Sequence, residues 1–227
     1  MRAFPDRHPP TSNLHLKITA EFVTSAAGPA DFPADGLPEV AMVGRSNVGK
    51  SSLINALVRQ RVARTSAAPG KTRLANVYRV ARGASPPFIL VDLPGYGYAR
   101  GGRDAAHEFD ELTAAYFGHA PGALLLVDSR HPGLASDRQA WQWMRRVTDH
   151  AAIVGTKIDK LARGQRIRAM RELESVFEDS VLPVSAVTGE GLDELWKLID
   201  RLANSRNTHR RSNPRPPRAM ELHPQKK

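Results

Sequence analysis

The chain contains no cysteine among its 227 residues. That excludes disulfides and thiolate metal sites while leaving the compartment open. No apolar run approaches the ~18 residues needed to cross a bilayer, so no membrane span is expected. The first ten residues, Met1 to Pro10, lack the apolar core of a signal peptide, which points to the cytoplasm. The eight histidines are scattered without a His-x-x-x-His pair, so they read as surface or loop residues and not as ligands. No internal repeat is visible.

A hydrophobic fraction of 41% suffices for one core at this length. The net charge of +10 is uneven: residues 203–227 hold seven Lys/Arg against one acid, Glu221. A basic tail reads as an arm for nucleic acid or another anionic surface, or else as a solvated segment aiding solubility. Residues 204–227 are too rich in proline and polar groups for a core. Residues 1–36 form an extension in which Leu14–Ile18 and Glu21–Val23 can supply one short packed element, while 37–203 carry an alternating pattern.

Strands are predicted at Glu39–Val43, Leu74–Val80, Phe88–Asp92, Ala123–Asp128, Ala152–Thr156 and Val181–Val184. Helices are predicted at Lys50–Val58, Asp104–Phe117, Ser136–Asp149, Gln165–Phe177 and Leu192–Ala203, with Asp104 and Ser136 as caps and Gly118 and Gly164 at ends. This order predicts an α/β fold: a doubly wound, mostly parallel sheet of six strands flanked by helices, with a ligand at the strands' carboxyl ends. On the helix at 136–149, Trp143 fits the apolar stripe and Trp141 is expected at its edge.

The organising stretch is Gly44-Arg45-Ser46-Asn47-Val48-Gly49-Lys50-Ser51, between an apolar strand and a helix. It has the phosphate-loop pattern in its strand–loop–helix context. Gly44 and Gly49 let backbone N–H groups curl around phosphate oxygens, and the helix aims its positive end there. Lys50 would span the β- and γ-phosphates and Ser51 would offer its hydroxyl to Mg²⁺.

Downstream, Asp92-Leu93-Pro94-Gly95 ends the third strand, with a carboxylate able to hold Mg²⁺ through water and a glycine N–H able to detect a γ-phosphate. Thr156-Lys157-Ile158-Asp159 follows the fifth strand, where Asp159 can accept two hydrogen bonds from guanine and Lys157 can lie along the base. Ser185-Ala186 follows the sixth strand, where a backbone N–H can meet the guanine oxygen, though alone it reads equally as a small-residue turn. Between the first helix and second strand, Thr65 and Thr72 both suit a mobile Mg²⁺-sensing loop, with Thr72 preferred beside the Pro69-Gly70 turn.

These strings, with Pro69-Gly70-Lys71-Thr72 and Asp92-Leu-Pro-Gly-Tyr-Gly-Tyr-Ala99, resemble the EngB family of GTPases over roughly residues 37–203. The resemblance implies a Ras-like G domain of the P-loop NTPase class that binds GTP/GDP with Mg²⁺ and acts as a monomer. It also implies a role in normal cell division and septation and in large ribosomal subunit assembly, with ribosomal RNA as a partner. By position it assigns phosphates to 44–51, Mg²⁺ to Ser51 and Thr72, the first switch to Gly70, Lys71, Thr72, Arg73 and Leu74, and the second to 92–95. Lys50, Thr72 and Gly95 carry the catalytic roles. Residues 156–159 select guanine, Val184, Ser185 and Ala186 close over the base, and Thr156 in place of the commoner Asn is expected to forgo a loop-tying amide.

Ras-type enzymes place a water-orienting Gln after the D-x-x-G glycine; here stands Tyr96, a poor base near neutral pH, so slow and partner-activated turnover is expected. Asn47 either holds a potassium ion or simply braces its turn. Arg100 and Arg103 belong to a solvated loop, or else contact RNA or act in cis. An ATP-dependent phosphotransferase and an RNA-binding scaffold with a vestigial site are the rival readings; the first leaves Thr156–Asp159 and Ser185 unexplained.

Overall fold

The computed structural model describes residues 17–64, 74–96, 112–113, 116–117 and 122–204. Its elements run β1 (Ile18–Ala26), β2 (Glu39–Gly44), α1 (Lys50–Val58), β3 (Ala75–Arg82), β4 (Phe88–Asp92), β5 (Gly122–Asp128), α2 (Ala135–Val147), β6 (Ala151–Thr156), α3 (Arg163–Phe177), β7 (Val181–Pro183) and α4 (Leu192–Asn204). Leu112, Thr113, Tyr116 and Phe117 are also helical. The rest of the helix expected over 104–117 lies outside the described residues, with its cap Asp104 and with Gly118.

The sheet has seven strands in the order β1-β3-β4-β2-β5-β6-β7, not the six expected. The addition is β1, which runs antiparallel to β3 from Ile18↔Arg82 to Ala26↔Ala75. It escaped a clean period-two signal because the register shifts between Phe22 and Thr24, leaving both Phe22 and Val23 exposed. The β3–β4 pair is antiparallel and the remaining pairs are parallel.

Strands β4 and β5 are buried along their whole length and β2 beyond its first residue. They are near-continuous runs of Val, Ile, Leu, Ala and Met, as a parallel strand covered on both faces requires. Alternate residues feed two apolar layers. Val40, Met42, Leu124 and Leu126 pack with Leu53, Ile54 and Leu57 of α1 and Leu195, Trp196 and Ile199 of α4. Ala41, Val43, Leu125 and Val127 pack with Tyr116, Phe117, Trp141, Trp143 and Met144 and with Leu173 and Phe177 of α3.

Three local expectations change. Both Trp141 and Trp143 are buried, because α2 packs under α3 and the helical residues 116–117 as well as on the sheet, so its apolar arc is wider than one stripe. Ser136 does not cap α2: the N-cap is Leu134, and Ser136 sits in the first turn. Gly164 lies in the first turn of α3, whose N-terminus is closed by Gln165 accepting from the Ala162 N–H at 3.1 Å.

Candidate functional site

The parallel strands β2, β4, β5 and β6 end together at one rim of the sheet, and the chain turns from each end into a loop. The loop from Gly44 to Gly49 comes first. A Cβ on Gly44 would stand 2.8 Å from the Leu126 carbonyl oxygen, so only glycine lets β2 pass β5 at this point. Gly49 takes a φ of 115° as N-cap of α1, and no side chain caps that helix. Its first N–H groups therefore face the loop's concavity, the arrangement that receives an anion.

At the mouth of this cradle, Lys50 Nζ lies 3.4 Å from the Gly44 carbonyl and 4.0 Å from Asp92 Oδ1. The Ser51 hydroxyl donates to Asp92 Oδ2 at 2.9 Å. Both charged groups are deeply buried: burial pushes the Asp92 carboxyl above its ordinary value and the Lys50 ammonium below, each opposed by the other's charge. Asp92 Oδ1 is buried without a hydrogen-bond partner among the described residues. A buried carboxylate with an open oxygen beside a serine hydroxyl is a hard oxygen donor set suited to Mg²⁺, and a buried ammonium held at the loop's mouth by one long contact to Asp92 suits phosphate.

Gly95 is seated on the phosphate loop. A Cβ there would lie 2.6 Å from the Ser46 backbone nitrogen and 2.7 Å from its Cα. The Ser46 N–H donates to the Tyr96 carbonyl at 3.3 Å, and its hydroxyl to the Gly95 carbonyl at 3.3 Å. The Tyr96 side chain turns away from the cradle into the layer beneath α2, where its hydroxyl donates to Asp137 Oδ1 at 2.9 Å. Leu93 and Pro94 are buried between these two ends.

The second half of the site is built from β5, β6 and β7. The Thr156 hydroxyl stands 2.8 Å from the Val48 carbonyl oxygen and 3.0 Å from that of Val127. The loop tie expected to be lost with Asn is therefore made by a shorter side chain reaching directly to backbone. Lys157, at a left-handed φ of 60°, donates through Nζ to the Asn47 carbonyl at 2.6 Å and to Asp128 Oδ2 at 2.9 Å. Ile158 is buried under the turn, and Asp159 Oδ1 accepts from the Ser185 hydroxyl at 2.8 Å. Burial works to raise the Asp159 carboxyl, but the bonds from Ser185 and Lys160 outweigh it and hold it low, ready to accept. The Val184 and Ser185 N–H groups are taken by the Gly155 and Glu190 carbonyls.

Sequence reasoning missed Asp128, Arg130 and Asp137, which lie among these groups. An Asp at a strand end or in a first helical turn carries no signal by itself of what it will face. Of the residues expected in the site, Gly70, Lys71, Thr72 and Arg73 lie outside the described residues, as do Thr65, Arg100 and Arg103. Leu74 is exposed just ahead of β3, which begins at Ala75.

Comparison with known proteins agrees with this geometry. Residues 39–160 match the family model described as 50S ribosome-binding GTPase. The chain is 42% identical over 195 residues to Probable GTP-binding protein EngB of Pelotomaculum thermopropionicum, covering 82% of this chain and 96% of the relative. It is 39% identical over 194 residues to the protein of the same name from Alkaliphilus metalliredigens, covering 82% and 91%. Among solved structures, Era of Aquifex aeolicus bound to GDP and aluminium fluoride superposes with a TM-score of 0.66 at 26% identity, over 74% of this chain and 57% of that one. A crystal structure of an EngB protein shares the fold at a TM-score of 0.57 and 22% identity, over 74% and 99%.

Proposed function

The chain belongs to the EngB family of GTP-binding proteins, and from that membership we propose that it is a slow GTPase switch whose nucleotide state governs association with the large ribosomal subunit or its precursors. Through that association it supports cell division and septation, as a cytoplasmic monomer. The observation that carries the reading is the Lys50–Ser51–Asp92 cluster with its one open carboxylate oxygen. Its donors, two hard oxygens and one ammonium, match a divalent cation and a polyanion.

With nucleotide bound, the first-turn N–H groups of α1 and the Lys50 ammonium hold the β- and γ-phosphates. Ser51, and Asp92 through water, are the residues that would hold Mg²⁺, together with Thr72 by family position. The ion would supply positive charge between the phosphate oxygens. Gly95, seated on Ser46, is placed for its N–H to sense the γ-phosphate. Asp159 reads the two guanine donors and Ala186 the guanine oxygen. The buried Tyr96 reaches no attacking water, so turnover of the isolated protein is slow, near the ~10⁻⁴ s⁻¹ of unassisted Ras or below, until a partner completes the site. Asn47 is exposed at the loop's rim, where it would hold a potassium ion in the place an arginine finger takes elsewhere.

The ribosomal part rests on the matched family's description and on the basic balance of +10. In a relative of similar fold, Era, a solved complex contains MgGDPNP and nucleotides of 16S ribosomal RNA. The deciding experiment is sedimentation with ribosomal particles in GDP, in a non-hydrolysable GTP analogue and without nucleotide. Association with the analogue and release with GDP is expected. Association indifferent to nucleotide, and abolished by deleting 205–227, would favour a scaffold that binds RNA through its tail. Rapid single-turnover hydrolysis by the purified protein alone, or equal rates in potassium and sodium, would remove the slow-switch and potassium elements respectively.

A further inference from the structure

Asp128 ends β5 and, among the described residues, is the carboxylate bonded to Lys157. Its four hydrogen bonds divide by oxygen. Oδ1 accepts from the Arg130 backbone N–H at 3.1 Å and from Arg130 Nε at 2.9 Å. Oδ2 accepts from the second arm of the same guanidinium at 2.7 Å and from Lys157 Nζ at 2.9 Å. The two-armed contact fixes the plane of the carboxylate, as a guanidinium fork does. One direction on Oδ2 is then left for the ammonium, which extends to the Asn47 carbonyl on the phosphate loop.

This chain of contacts holds a backbone shape that a lysine does not adopt freely. Residue 157 lies in the left-handed region, which a side chain with a Cβ disfavours. It caps the single turn Ile158–Lys160 that carries Asp159. If the ammonium came loose, that shape would lose the contact that anchors it, and the carboxylate two residues on would lose its aim. Asp128, Arg130, Lys157 and Asn47 line a cavity of roughly 180 Å³ with Arg45, Ser46 and Val48. The clamp therefore borders the nucleotide cleft and is not buried behind it.

We propose that Asp128, oriented by Arg130, is a positioning residue for guanine selection: it clamps Lys157 to the phosphate loop and so fixes the turn that presents Asp159 to the base. The proposal rests on reading 156–159 as the guanine-selecting loop. It adds a specificity determinant on β5, outside the loops that touch the base.

The test uses the full chain with GDP and with inosine diphosphate, which lacks the exocyclic amine that Asp159 accepts. In D128A the affinity for GDP should fall about thirtyfold, the scale of a lost hydrogen bond to a charged group, and the preference for GDP over inosine diphosphate should shrink at the same time. R130Q alters a half-exposed side chain, so it should keep its melting temperature. It should release GDP several-fold faster and lose part of the same preference. A GDP-to-inosine-diphosphate ratio unchanged in both variants would overturn the proposal, since a merely structural defect lowers both affinities alike. D159N with xanthosine diphosphate checks the premise separately. If that variant fails to exchange guanine for xanthine preference, the guanine-loop reading itself falls.

Discussion

The Tyr96 phenol donates to Asp137 Oδ1 across 2.9 Å, and both residues are only 2% exposed. The residue following Gly95 is thereby tied to the first turn of α2 and not to the cleft. Burial, with Asp137's charge, pushes the phenol well above its ordinary value. Burial also raises the Asp137 carboxyl to about 6, against the Tyr96 bond and the Arg45 charge.

A pH dependence follows from that raised carboxyl. Its folded value exceeds its unfolded one, near 3.9, so the folded state binds the proton more tightly. The contribution to stability is complete below about pH 4 and is lost as pH climbs through about 6. Chemical denaturation of the wild type and D137N from pH 7 to pH 4 should show the wild type gaining relative to the variant, by up to about 3 kcal/mol. A constant difference across that range would contradict the assignment.

Replacing the phenol separates packing from chemistry. Y96F should lower stability by about 1–2 kcal/mol, because Asp137 Oδ1 loses its buried donor. Single-turnover GTP hydrolysis should change less than threefold. A tenfold loss of hydrolysis in a folded variant would place the hydroxyl in the reaction.

Thr156 makes the corresponding tie between β6 and the phosphate loop. The near-isosteric T156V removes the donor to Val48 and leaves a buried carbonyl unpaired. Fluorescent GDP should leave about ten times faster by stopped flow, the rate equivalent of about 1.4 kcal/mol. An unchanged rate would mean that the phosphate loop keeps its shape without this bond.

Metal dependence follows from Ser51 and Asp92. Chelation of Mg²⁺ should accelerate GDP release from the wild type by an order of magnitude or more. S51A removes the proposed Mg²⁺ ligand and the donor to Asp92, so its release should already be fast and nearly indifferent to chelator. Strong chelator sensitivity in S51A would show that the hydroxyl is not a ligand.

Gly95 gives a prediction about sensing. G95A puts a methyl within 2.7 Å of the Ser46 backbone, and backbone cannot retreat as a flexible side chain can. Binding of a non-hydrolysable GTP analogue should weaken at least tenfold more than binding of GDP, measured by calorimetry. Equal losses would place the glycine's role in loop folding alone.

Much of this was legible in the chain because the strong signals are periodic or positional. The central strands are uninterrupted apolar runs, and α1 coincides with its predicted span of Lys50–Val58. The phosphate loop requires glycine where backbones meet, so Gly44 announces itself. What stayed hidden was direction. Nothing in the letters says that Tyr96 faces inward, that Asp128 faces Lys157, or that a threonine hydroxyl can reach Val48. Each depends on which side of a strand end the next residue leaves. The edge strand β1 was obscured for the opposite reason: its bulge breaks the alternation that would have marked it.

The division of the core into two layers sorts the three indoles by what they can report. Trp141 and Trp143 lie in the layer that holds Tyr96. Trp196 lies in the other, with α1, its ring beneath the Arg82 guanidinium at 4.9 Å. The molecule thus carries built-in optical gauges on opposite sides of its sheet. Emission changes dissected by replacing one indole at a time would tell an observer whether a bound triphosphate loosens the α2 side, the α1 side, or both in sequence.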